Sequence, residues 1–173
     1  MNWIVAIAAI VLATDVPQRV GQLRAYRRAQ RSTVAAGLVV VGVAAAAAAT
    51  PLLDALDISA PTMEVGAGMV LVLWSLVALF RWDGEPAPAP LAWGLVPGLF
   101  PLVLTPAVGV VLVGVAARNG YPATVIGAAL AALGVVAAAE IAPLLARPTI
   151  RRSTATLGVV VGIAMMVDGV FAV

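Results

Sequence analysis

The chain is predicted to be an all-α membrane protein of six transmembrane helices, arranged as two inverted three-helix repeats with the first and fourth helices broken. Three observations predict this. Apolar residues make up 63% of the 173 and fall into long, nearly uninterrupted blocks of Ala, Val, Leu, Ile and Gly. Nine of the ten arginines are confined to alternate connections between those blocks, and landmarks of the first half recur in the second at a spacing of about 90 residues. A hydrocarbon core of ~30 Å takes ~20 helical residues to cross. Residues 34–53, 63–80, 91–117, 123–145 and 154–173 each come close to that length. Residues 2–14 are too short alone and cross only if their helix continues past Asp15 and Pro17. Met1–Ala13 lacks the basic start of a secretory signal, so it is expected to remain as part of the first span.

In the first span, Thr14-Asp15-Val16-Pro17 brings polar groups and a proline to where helix must continue. Proline removes a backbone donor and disfavours helix at the residue before it, so a break is expected here. The connection that follows holds Arg19, Arg24, Arg27, Arg28 and Arg31. The second span leads to Asp54, Asp57 and Glu64, read as a connection without basic residues, and the third carries Gly66-Ala67-Gly68-Met69. Asp83–Pro90 is a Pro-rich extended linker. It divides the chain into a first repeat (1–82), the linker itself (83–90) and a second repeat (91–173). The fourth span contains Pro97, Pro101 and Pro106, with Thr105 before the last. The fifth ends Ala142-Pro143-Leu144-Leu145, as the second ends Thr50-Pro51-Leu52-Leu53, and the sixth carries Gly158, Gly162 and Met165-Met166. Trp3 and Trp93, Thr14 and Thr105, Pro17 and Pro106, and Arg28 and Arg118 recur in the same order. Three spans per repeat force the halves into opposite orientations, the design of many secondary transporters.

Nine arginines (19, 24, 27, 28, 31, 81, 147, 151, 152) then fall on one side of the membrane and Arg118 alone on the other. The arginine-rich side is cytoplasmic, which puts both termini outside the cytoplasm, in what composition suggests is a bacterial inner membrane. Trp3 and Tyr121 mark the outer interface, Trp82 and Trp93 the inner one. The basic residues are explained as topology signals, not as a nucleic-acid surface. Arg19, Arg24, Arg27, Arg28 and Arg31, with Tyr26, are also placed to meet anionic lipid headgroups.

With no Cys and no His, thiol chemistry, disulfides and histidine-based metal or acid–base sites are excluded. No phosphate loop, dinucleotide fingerprint or nucleophile elbow occurs, so neither an enzyme nor a cofactor is expected. Charge at membrane depth is costly and marks candidate function. Asp15, Glu140 and Asp168 are the carboxylates placed within spans, ~20, ~26 and ~21 Å from where their helices enter. They are the candidates for proton coupling, the plainer roles being a helix cap for Asp15, a pair with Arg147 for Glu140 and a wet helix end for Asp168. Broken helices at matched positions expose backbone groups at depth, which is tolerated only beside protein or water. Thr14, Asp15, Pro17, Thr105 and Pro106 are therefore the candidate solute-binding residues, a plain proline kink being the alternative. Gly94/Gly98 and Gly158/Gly162 are small-residue pairs for close helix packing.

Several of these segments resemble the MarC-like family of bacterial inner-membrane proteins. The turn Ile58-Ser59-Ala60-Pro61 before the Gly-rich Val65–Leu73 is similar to that family's turn and glycine-rich helix. Pro97 through Phe100-Pro101-Leu102 to Thr105-Pro106-Ala107 resembles its proline-rich element, and Leu157-Gly158 through Asp168-Gly169 its last helix. Where the family has an Asn-Pro pair and a Gly-Pro-Gly, this chain has Asp15-Val16-Pro17 and Thr105-Pro106-Ala107. The resemblance implies six spans, a shape like that of LysE-type exporters, and transport. The expected function is thus a small secondary carrier exporting or exchanging a small polar solute, with protons as the candidate coupling ion. The rival is a non-transporting membrane scaffold, an accessory subunit of a larger complex. Either could work as a homo-oligomer or with a membrane-protein partner.

Overall fold

A computed structural model describes residues 2–80, 103–138 and 140–172. Arg81, Trp82, the linker 83–90, Trp93, Gly94, Pro97, Gly98 and Pro101 lie outside the described residues, as does the side chain of Arg24. The described chain is helical: α1 (Trp3–Ala13), α2 (Val16–Ala25), α3 (Arg28–Leu56), α4 (Ala60–Phe80), α5 (Pro106–Ala137), α6 (Ala142–Leu145) and α7 (Pro148–Val170). Among the described residues, five helical segments are long and apolar enough to cross a membrane, the first being α1 and α2 taken together over Trp3–Leu23.

Each boundary has a local cause. Asn2 starts α1 by accepting the Ile4 N–H on its side chain at 3.0 Å. The expected break follows at once: Asp15 adopts the left-handed conformation (φ 50°, ψ 44°) and Pro17 lies in the first turn of α2. A short polar residue tolerates that backbone far better than a β-branched one would. Arg27 stands before α3, its backbone N–H held by Gln30 at 2.8 Å. The helix runs through Pro51 and ends at Asp57, also left-handed, where the Ile58 N–H returns to the Leu53 carbonyl at 3.0 Å. α4 starts at Ala60, so Glu64 lies inside an apolar helix and not in the connection where its sequence context put it. Thr105 caps α5, its hydroxyl accepting the Val108 N–H at 3.3 Å with Pro106 in the first turn.

α5 is two helices joined at Gly120, whose backbone (φ 76°, ψ −173°) is not helical. This region of conformational space is essentially closed to residues with a side chain. The first arm packs on α4, with Gly114 against Met63 and Ala67, and the second packs on α1, with Gly127 against Ile10. The second arm stops at Ala137, and a turn leads to the single-turn α6, where the sequence predicts helix through to residue 145. Pro143 therefore begins a separate turn, whereas Pro51 stays within its helix.

Two antiparallel pairs organise the bundle. Gly68, Gly158 and Gly169 bring α4 and α7 together, facing Gly162, Ser75 and Val65 respectively. A Cβ on Gly68 would sit 2.6 Å from the Gly162 carbonyl oxygen, so the two backbones touch. α3 lies against the second arm of α5, with Gly42 on Ala128 midway along both and Arg31 donating to the Val136 carbonyl at 3.3 Å near one end. Ile10, Leu38, Leu71, Val108, Val115 and Met165 form the solvent-free centre. Trp3 and Tyr121 stand exposed at the starts of α1 and of the arm parallel to it, which suits an interfacial belt.

Candidate functional site

The break between α1 and α2 opens a cavity of about 180 Å³. Asp15 and Pro17 line it from the break itself, Trp74, Ser75 and Ala78 from α4, Ala131 and Gly134 from α5, and Thr154 and Ala155 from α7. Thr14 is buried beside it, but its hydroxyl donates to the Val11 carbonyl at 2.7 Å, filling a carbonyl left open by the broken helix. Near the cavity, Gln18 ties three helices together: its amide donates to the Ala78 carbonyl at 3.3 Å and its oxygen accepts from the Arg151 Nε at 2.7 Å. The Arg19 guanidinium lies 5.7 Å from the centre of the Trp74 ring, a cation–π contact.

At the opposite end of the bundle lies a charged cluster. The Glu64 side chain is 0% exposed, and Arg118 reaches its carboxylate at 3.0 Å. The same guanidinium is 3.9 Å from Asp168, whose side chain is 42% exposed. The cluster joins α4, the first arm of α5 and α7. Glu64 and Arg118 were assigned to connections on the sequence because each stands next to a helix start or a Gly turn. The legible signals were Glu64 inside Pro61–Val72, an otherwise apolar run, and Arg118 as the one arginine on its side.

The predicted site residues are thus split. Asp15 and Pro17 share the cavity and Asp168 joins Glu64 and Arg118, whereas Thr105 and Pro106 line neither. Thr105 is buried among Val103, Ala107 and Val108 with its hydroxyl engaged in capping, and Pro106 is exposed. Glu140 is exposed, because α5 ends three residues before it and leaves it in a turn, and it pairs with no cation among the described residues. The arginine cluster expected to meet lipid headgroups is also divided. Arg27 and Arg28 are exposed, but Arg31 is 8% exposed and turned onto the end of α5, and Arg19 lies on Trp74. Among the described residues no group of carboxylates could hold a metal ion. Compared with family models, with curated proteins and with solved structures, the chain matches none.

Proposed function

We propose that this is a small bacterial inner-membrane carrier of the MarC-like kind, exporting or exchanging a small solute through the cavity at the α1–α2 break. The observation that carries the reading is that cavity: a helix interrupted at depth, a carboxylate beside the interruption, and walls drawn from α1, α2, α4, α5, α6 and α7. A protein with only a structural role has no need of such a void, whose lining forfeits packing contacts. In this reading the chain crosses six times, the two arms of α5 serving in separate spans and the arginine-rich end facing the cytoplasm. The pairing of α4 with α7 and of α3 with the second arm of α5 supports two inverted repeats, since an in-plane two-fold axis pairs third with sixth and second with fifth helices. Asp15 serves the inner vestibule, while the Glu64–Arg118–Asp168 cluster closes the outer side and offers carboxylates for proton coupling.

The dry, capped Thr105 favours the scaffold rival. The absence of native cysteine makes the choice testable. In a Ser75→Cys variant in oriented membranes, alternating access requires labelling by a membrane-impermeant thiol reagent from both sides. Labelling from one side only, or from neither, refutes the carrier. A stoichiometric partner retained through purification would then establish the scaffold.

A further inference from the structure

The cavity at the α1–α2 break has a donor to offer and little else that is polar. Its wall is apolar over most of its extent, from Val11, Leu12, Val16, Ala131, Ile141 and Leu145. Asp15, the one ionisable residue among those that line it, already has an interaction within the protein, as do Arg19 and Arg151 nearby. The Thr154 hydroxyl donates to the Ile150 and Arg151 carbonyls of its own helix, at 3.0 and 2.9 Å. Trp74 differs: it lines the cavity, and its indole N–H is buried without a hydrogen-bond partner. A buried unsatisfied donor is unusual and asks for an acceptor. An engineered apolar cavity of about 150 Å³ holds benzene, so this space suits a ligand body of roughly six to eight non-hydrogen atoms.

We infer that the cavity binds a small, neutral, mainly apolar molecule that carries one acceptor oxygen, such as a short-chain ketone. The oxygen accepts from the Trp74 N–H, and the hydrocarbon fills the space between Val16, Ala131 and Leu145. The same wall selects against charge. An ammonium group would have to displace the interaction that Asp15 already has, and a carboxylate would leave water for apolar surroundings, both of which are costly. This replaces the polar solute expected from sequence with a mainly apolar one. The inference rests on the reading of this cavity as the solute site, but binding tests it without transport. Failure to bind overturns the inference, and one-sided labelling of Ser75→Cys overturns the carrier.

The test uses the full chain in lipid nanodiscs, with empty nanodiscs as the baseline for partition into lipid. Linear 2-alkanones of increasing length are titrated beside alkanes, alkylamines and alkanoates of matching size. The 2-alkanones are expected to bind saturably above that baseline, and about tenfold or more tightly than the charged series. Their affinity is expected to rise about fourfold per methylene, then fall once the cavity is full. Trp74→Phe is expected to weaken 2-alkanones about fivefold or more, by stranding the acceptor, and to leave alkanes unchanged. Gly134→Val, at a position with room for a side chain, is expected to shorten the length limit. Uptake that rises with length without a limit is partition into lipid and overturns the proposal. So does tighter binding of amines or alkanoates than of ketones, or a Trp74→Phe variant that binds ketones as well as the parent does. A length limit that Gly134→Val leaves in place removes the proposed site.

Discussion

Arg118 reaches across from α5 to a Glu64 carboxylate that no solvent touches, at 3.0 Å, and its other side faces Asp168 at 3.9 Å. One guanidinium therefore links three helices at the end of the bundle remote from the arginine-rich end. A buried ion pair is a modest net stabiliser, but removing one partner strands the other at full desolvation cost.

That asymmetry predicts the outcome of a double-mutant cycle. Arg118→Gln is expected to destabilise by about 3–5 kcal/mol, the usual cost of an uncompensated buried charge. Adding Glu64→Gln should recover most of the loss. Thermal unfolding followed by size-exclusion fluorescence would measure both, and additive losses would mean that the pair is not coupled.

The contact between α4 and α7 depends on the absence of side chains. Gly162→Leu should disrupt the fold, since even a Cβ there would meet the Gly68 carbonyl oxygen at 2.8 Å. Gly66→Ala on the facing helix α4 meets nothing within 4 Å and should stabilise by a few tenths to about 1 kcal/mol through helix propensity. Equal effects of the two would argue against close backbone packing.

Gly120 isolates a backbone effect, because its neighbourhood is open and the nearest atom to an added Cβ is the Pro122 Cδ at 4.0 Å. Gly120→Ala should still cost about 1–3 kcal/mol. Gly120→Asn should not rescue it, since Asn eases the left-handed helical region but not this extended one. A stable Asn variant would show that the turn adopts another conformation.

Asp15 presents the opposite case, a left-handed residue with a side chain. With the side-chain interactions of Asp15 lost in both, Asp15→Val should be less stable than Asp15→Gly by about 1–2 kcal/mol. Melting temperatures of the two variants decide it, and a tolerated valine would mean that the break at Thr14–Asp15 is not left-handed.

The long apolar helices and the break at Asp15 were legible in the sequence because each follows from local physics: apolar length, proline chemistry and the conformational tolerance of a short carboxylate. So was the strict segregation of Arg19, Arg31 and Arg151 from Arg118. Which charged residues meet was not legible, since Glu64 and Arg118 are 54 positions apart and only the packing of α4 on the first arm of α5 brings them together. Matching Thr14 with Thr105 on their spacing implied a shared site, but a hydroxyl's role depends on what surrounds it. Thr14 repairs a broken helix beside a cavity, while Thr105 caps a new helix in a dry core. Glu140 illustrates the same limit, since its depth was inferred from a helix that stops at Ala137. The sequence by itself determined the apolar helical class and the break at Asp15. The tertiary structure alone decided which polar groups are buried together, because helix packing joins residues that no local pattern relates.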